Sequence, residues 1–460
     1  MPQTARAPLS PVAQATLRLF VWTAVAIPPI SIAIHFAFGS MGLYGWNGNL
    51  LLLVCALIVA SLWRYLATLG QAREYLVTAL LTVLLAWAVL RTGISDMTSP
   101  ILSWTGLLIL AAMLSALAAG YSALRAGMAL DRLLVLAVAL SSLSLLALPV
   151  IVTVAPDLYT PREWTINLPG FTHVRAVGSH ASLALAVLVA FGCARPARSP
   201  LLDPTGLAVL GLCAGLWCVL FWSGSRAGPV TLLPALILTW GLIARPDLRA
   251  LAAHALAAAA GAAASLLAWA PNHTFDMFAR TEKTIDVVRE AGGAGETAGA
   301  IADKATSSRV ELWQWSLETA LEKPLAGWGY LPMRALDGAR DVPRAAHAHN
   351  SLLDYVMGFG LPAGLALGAT LLVLWGVVAV GLSRRRPDSA VTPCDAALFT
   401  GVTLCGAYTL HSAMFISPWP SIFFGLALGG LLGRLAGRQH APDARRDPEA
   451  PPGADELFAG

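Results

Sequence analysis

Charge is what this sequence has least of. Of its 460 residues, 12% are Asp, Glu, Lys or Arg, while 57% are hydrophobic. A soluble domain carries about 25% charged residues, so a typical cytosolic enzyme and a disordered chain are both excluded. The 30 basic and 26 acidic residues nearly balance, at a net +4, which gives no electrostatic footprint for nucleic acid. Cysteine is sparse as well. Cys55, Cys193, Cys213, Cys218, Cys394 and Cys405 all lie in or beside apolar runs, with no CxxC pair, so a disulfide scaffold is excluded and free thiols are expected. HExxH is absent, and so is a D-x-D of the kind that holds a divalent cation on a sugar nucleotide. A cleavable signal is not evident either. The run from Leu19 to Phe38 is too long for a signal core and has no A-x-A-type exit, so it reads as a first span.

What the chain does have is a series of apolar runs, many longer than the ~18 residues that mark a transmembrane candidate. Hydropathy windows predict an all-α polytopic membrane protein of about twelve spans, at 17–38, 49–69, 75–93, 101–120, 131–154, 176–194, 205–222, 228–244, 249–270, 360–382, 394–414 and 418–436. The Ala-rich stretch from Ala252 to Ala263 is the weakest of these and is expected to pack inside the bundle through small residues. The predicted organisation is a cytoplasmic N-terminus at 1–16, nine spans over 17–270, a long loop at 271–350, three further spans over 351–436, and a disordered tail at 437–460 rich in Pro, Ala, Asp and Arg.

Orientation follows from the basic residues of the short loops. Arg64, Arg73, Arg125, Arg132, Arg195, Arg198, Arg245, Arg249, Arg384, Arg385 and Arg386 lie on one side; only Arg91, Arg162, Arg175 and Arg226 lie on the other. The first side is therefore read as cytoplasmic, which puts both termini there. The 154–175 loop, the 223–227 turn and the long loop face the opposite compartment. A long loop on an otherwise tightly connected bundle is where function is sought first.

In that loop, Asn272 to Ala291 mixes apolar and charged residues at helical spacing, and Gly292, Gly293, Gly295 and Gly299 break it into a flexible joint. Ser308-Arg309-Val310-Glu311 has a capping-box pattern and opens an amphipathic helix that ends before Pro324. Gly327-Trp328-Gly329 makes a turn, and His347-Ala348-His349-Asn350 closes the loop. A cation such as Arg309 in a first turn opposes the helix dipole by several tenths of a kcal/mol, but it would reinforce an anion site there. Trp313 and Trp315, two apart, face different sides and suit interface anchoring. Arg226 sits in Ser223-Gly224-Ser225-Arg226-Ala227-Gly228, a turn with almost no loop. It either snorkels to headgroups or pairs with an anion, and its small neighbours would let a phosphate approach the backbone. Arg175 opens the sixth span, either as a membrane-end anchor or as a further anion ligand; His180, one turn on, suits a satisfied histidine inside the bundle. Two histidines at i and i+2 are a weak metal signal without carboxylate or thiolate partners. That leaves His349 as a proton-transfer group.

Arg175, Arg226, Arg309 and His349 are thus expected on one face of the membrane. Arginine grips phosphate oxygens bidentately and keeps its charge, so such a cluster with no metal motif suits a lipid pyrophosphate. On these residues the chain resembles the O-antigen ligase and polymerase superfamily of bacterial membrane glycosyltransferases. The motifs that carry the resemblance are Ser223 to Gly228, Ser308-Arg309 with Trp313, Pro324-Leu-Ala-Gly327-Trp-Gly329, and His347-Ala-His349-Asn350 followed by Gly360, with Arg175 in Val174-Arg-Ala-Val-Gly178 similar to the upstream arginine of that family. The resemblance covers about residues 170–380.

The resemblance implies a GT-C-like architecture and a metal-independent, inverting glycosyl transfer at the periplasmic face of the bacterial inner membrane, with no cofactor. It implies an undecaprenyl-pyrophosphate-linked glycan as donor and, in the ligase branch, the lipid A-core as acceptor. His349 would be the base, Arg175, Arg226 and Arg309 the pyrophosphate ligands, and His347, Asn350 and Ser225 supporting residues. A polymerase would use the same donor with a lipid-linked glycan as acceptor, and a third branch would glycosylate protein. A lipid-linked glycan transporter fits less well, because the predicted spans are nearly free of Asp, Glu and Lys.

Overall fold

The computed structural model describes residues 100–125, 127–166, 168–169, 171, 173–195, 203–272, 274–293, 309–329, 347–384, 391–411 and 418–438, with scattered positions before residue 34. Most of the first predicted span, the second and third, the glycine joint beyond Gly293, Ser308 and the tail beyond Arg438 lie outside the described residues. Among those described, the regular structure is helical and no strand occurs.

Nine helices answer to predicted spans four to twelve. They are α1 (Pro100–Arg125), α2 (Leu130–Val154), α4 (Val174–Cys193), α5 (Pro204–Trp222), α6 (Ala227–Leu242), α7 (Leu248–Ser265), α11 (Leu361–Ser383), α12 (Pro393–Thr409) and α13 (Pro418–Arg438). Six stretches are long and apolar enough to cross a membrane, in α2, α4, α5, α7, α11 and α13, whereas Ile109–Arg125 of α1 and α6 are apolar but shorter. Four shorter or amphipathic helices join them: α3 (Pro161–Ile166), α8 (Met277–Gly293), α9 (Arg309–Glu322) and α10 (Ser351–Phe359).

Helices α4 and α12 form the centre. Nearly every residue of α12 from Cys394 to Cys405 is buried, and α4 is buried from Ala181 to Ala190. Around them, α2, α6 and α11 turn large apolar side chains outward, including Leu143, Ile237 and Val373. That is the side-chain distribution of helices whose outer face meets lipid. Hydroxyls and an indole tie the interior together. Thr239 meets Thr400 at 2.9 Å, Trp375 donates to Thr403 at 3.0 Å, and Tyr408 on α12 donates to Ser182 on α4 at 3.2 Å.

Helix α7 departs from the expectation that it packs inside the bundle. Only one face is buried, along Ala250, His254, Ala257 and Gly261, while Leu256 is exposed. Gly261 lies against the backbone of α5 at Ala214, so the small residues serve a single close crossing and not an all-round burial.

At one end of the bundle Arg434 of α13 reaches Asp131 at 2.6 Å and Asp395 at 2.5 Å. These carboxylates stand in the first turns of α2 and α12, where an anion is favoured. Thr392 caps α12 through a capping box and also accepts from Arg434 at 3.2 Å. The ion triad therefore locks three helices. The opposite end carries the turn after α5 and the helices α8, α9 and α10.

Candidate active site

The turn after α5 is built by close packing. Gly224 has φ +61°, and a Cβ there would collide with the Thr274 carbonyl, so glycine is required. Ser223 and Ser225 are buried, and Gly178 of α4 lies against both. The small residues of this turn thus serve internal packing; the space expected for a phosphate beside Gly224 and Gly228 is filled by Thr274, Leu220 and Ser182. Arg226 follows as the N-cap residue of α6, held close to the end of the bundle.

Helix α8 is stitched to that turn. The Asp276 N–H donates to the Trp222 carbonyl at 2.9 Å, and Arg280 Nη1 donates to the Gly224 carbonyl at 2.8 Å. In return, Arg226 Nη1 donates to Thr284 Oγ1, whose hydroxyl donates to the Arg280 carbonyl at 3.0 Å. The 154–175 loop supports the same region. Its α3 buries Trp164, whose indole donates to Pro156, and Asn272 donates to Pro161 and Thr165.

The histidine turn is held by a second assembly. Helix α9 begins at Arg309, as the sequence predicts, and its Leu312 and Ala320 pack with Ala348, Val356 and Met357. Trp313 donates to the Ala348 carbonyl at 3.0 Å, and Asp354 accepts the Ala348 N–H at 2.8 Å. Asn350 caps α10 by accepting from Leu353 and donates to the Leu410 carbonyl at 3.1 Å. The Pro324–Gly329 segment lies along the end of α10, with Trp328 N–H on Met357, Gly329 N–H on Gly358 and Leu361 N–H on Pro324. Gly360 has φ +88° and separates α10 from α11, which begins where the span at 360–382 was expected. Trp313 is thus a support for the histidine turn, and Trp315 packs on the same small cluster.

His349 itself has φ +51°, a left-handed conformation uncommon for a residue with a Cβ and characteristic of functional turns. Its N–H donates to His347 Nδ1 at 3.1 Å, and the two rings meet edge to face at 4.2 Å. Burial, and then the charges of His347, Arg309, Arg175 and His173, hold its pKa down at about 2. His173, which accepts the Arg175 N–H at 3.0 Å, is held at about 4 by burial and then by Arg175, Arg280 and His347. Both imidazoles are therefore neutral near pH 7, the form that can accept a proton.

The guanidinium groups act on one another. Burial, and then Arg175, Arg226 and Arg309, bring Arg280 down to about 9; burial and then Arg226 lower Arg309. Arg175 Nε is buried without a partner. Among the described residues no carboxylate pairs with Arg175, Arg280 or Arg309. The structure thus gathers Arg175, Arg226, Arg309 and His349 at one end of the bundle. It adds Arg280, His173 and His411, which the sequence reading passed over. His411, beside Tyr408 at 5.1 Å, has both ring nitrogens buried and unpartnered. Arg280 looked like one charge among many on an amphipathic helix. Its signal was its place in the first turn of the helix that follows the last of nine apolar runs. Ser225 is a buried packing residue, and His180 bonds to the Ala176 carbonyl at 2.7 Å within its own helix. No set of three or more metal-ligating side chains occurs among the described residues.

An array of guanidinium groups can bind a polyanion and stabilise negative charge on a leaving group. A neutral imidazole beside it can take a proton from a hydroxyl. Residues 210–368 match the family model described as O-antigen ligase. This stretch runs from mid-α5 through the turn bearing Arg226 and helices α8, α9 and α10 into α11. No curated protein gives a significant match to the chain.

Proposed function

We propose, on the match of residues 210–368 to the O-antigen ligase family model, that the chain is a ligase- or polymerase-type membrane glycosyltransferase that moves a glycan from undecaprenyl pyrophosphate to the lipid A-core of lipopolysaccharide. The reaction takes place at the periplasmic face of a bacterial inner membrane. The observation that carries this reading is the gathering of Arg175, Arg280 and Arg309, none with a carboxylate partner among the described residues, beside a neutral His349. The excess of arginine in the loops of the other side supports the orientation.

In the proposed step, neutral His349 accepts the proton of the acceptor hydroxyl as its oxygen attacks the anomeric carbon. The bond from that carbon to the pyrophosphate oxygen breaks, and its electron pair stays on the diphosphate. Arg175, Arg226 and Arg309 hold the diphosphate and offset the charge that appears on it. Donor binding also favours the base. The anion offsets the arginine charge that depresses His349, so its proton affinity rises towards the range useful for general-base work. Attack from the face opposite the pyrophosphate inverts the anomeric centre. His347 and Asn350 hold the turn that presents His349.

A polymerase would share the donor half of this chemistry. The lipopolysaccharide profile of a deletion strain separates the two. Uncapped core with accumulating lipid-linked polymer is the outcome expected for a ligase. Core bearing a single repeat would overturn that choice in favour of a polymerase, and an unchanged profile would sink both.

A further inference from the structure

Helix α8 carries Arg280 and Arg289 on different faces. Arg289 is largely exposed and lies 4.0 Å from Asp286, an ordinary solvated charge. Arg280 turns inward, and its Nη1 meets the Gly224 carbonyl behind Arg226. A neutral amide could make that bond without repulsion. A guanidinium in this position is instead half-buried among Arg175, Arg226 and Arg309, with no carboxylate partner among the described residues. A partly desolvated charge among like charges is costly without a counter-ion, so its place here calls for an anionic ligand. One of its five N–H donors is used on Gly224, and that bond aims the planar fork from the elbow. The reciprocal bond from Arg226 to Thr284 keeps both guanidinium groups on one rigid helix–turn joint.

We infer that Arg280 is a fourth ligand of the donor diphosphate, held by the Gly224 carbonyl so that its remaining donors meet the phosphate oxygens beside Arg226. The inference rests on the proposed glycosyl transfer and deepens its donor site. Breaking the glycosyl–phosphate bond leaves about one further negative charge on the diphosphate, and a fixed donor aimed at that charge lowers the barrier.

Three substitutions in the full-length protein, reconstituted with a lipid-linked glycan donor, test it. Arg280→Gln keeps a donor for the Gly224 carbonyl and loses the charge; Arg280→Lys keeps the charge and loses the fork; Arg280→Ala loses both. Removal of one charged hydrogen-bonding partner should lower donor kcat/KM about tenfold or more in the Gln and Ala variants. Lys should fall between them and the wild type. Inorganic pyrophosphate, used as a competitive probe, should inhibit the Gln variant at about tenfold or higher concentration. Wild-type kcat/KM and pyrophosphate inhibition in Arg280→Gln would reduce Arg280 to a strut and overturn the inference, as would wild-type behaviour of Arg280→Ala. Arg226→Ala and Arg309→Ala, run in parallel, separate this from the parent reading. If those two variants keep normal donor kinetics the whole diphosphate site is wrong, whereas their impairment with a normal Arg280→Gln removes only the fourth ligand.

Discussion

Arg434 and Arg280 carry the same guanidinium at opposite ends of one helical bundle, yet their surroundings are inverted. Arg434 stands between two carboxylates and a threonine hydroxyl, and its charge is spent within the protein. Arg280 stands among three other arginines, with one backbone carbonyl for a partner. The first end is complete as folded; the second, on the proposed reading, is completed by an anion. Mutations at the two ends should therefore separate stability from function.

The largest effect is expected at the base. His349→Ala should lower transfer by about 10²- to 10⁴-fold while the melting temperature of the purified protein stays near that of the wild type. Full activity in this variant would remove the base from the mechanism. Next come Arg226→Ala and Arg309→Ala. Each should weaken donor use by about tenfold or more and leave stability unchanged or raised, because one of several repelling charges is gone. Lysine at either place should rescue poorly, for want of bidentate geometry. A loss of melting temperature that matched the loss of activity would dissolve the contrast between the ends.

At the other end the signs reverse. Arg434→Met leaves two buried carboxylates unpaired and should cost about 3–5 kcal/mol of stability, with donor KM unchanged in the protein that still folds. Replacing Asp131 and Asp395 by apolar residues in the same variant should recover much of the loss. Thermal unfolding of the single and triple variants checks both.

A smaller effect follows from the depressed imidazoles. His173 and His349 are neutral in the fold, with pKa values of about 4 and about 2 against 6.5 for a free imidazole. Below pH 6.5 the unfolded chain takes up protons that the fold refuses. These two groups therefore contribute stability above pH 6.5, and it is lost as pH falls from 6.5 towards about 4 for His173 and on towards about 2 for His349. The acid limb of donor kcat/KM, which reports the free enzyme, should lie at lower pH than that of kcat, which reports the donor-bound enzyme. Coincident limbs would mean that the donor does not offset the arginine charge. The smallest effect is expected from chelation. Transfer should survive EDTA, and a loss restored by added divalent cation would revive a metal role for His347 and His349.

Much of the fold was legible because an apolar run of membrane length has few alternatives to a helix. Helices α2, α4, α5 and α11 begin and end within a few residues of their hydropathy windows. Arg175 and Arg226 stood out as charges at the margin of such a run, Arg309 as a cation at a helix start in the long loop, and His349 as an imidazole where that loop closes. Tertiary relations were not legible. Arg434 lies inside an apolar run, and nothing local connects it to Asp131 and Asp395, hundreds and tens of residues away. Arg280 was masked by Glu282, Lys283, Asp286 and Arg289 on the same helix. The short helix α10 lies ahead of the hydropathy window at 360–382 and went unread; the positive φ at Gly360 divides it from α11.

The contact between α1 and α13 bears on how the chain assembles. Gly425, Gly429 and Gly433 recur at every fourth residue of α13, and each meets the backbone of α1, at Met113, Leu117 and Tyr121. The same helix brings Arg434 to the carboxylates of α2 and α12. During synthesis the ribosome delivers α1 and α2 early and α13 after every other described helix, so the early pair must wait in the lipid with Asp131 uncompensated. Final closure of the bundle is thus timed by the arrival of α13, and a nascent chain stalled ahead of Pro418 would present quality-control proteases with an open seam along α1.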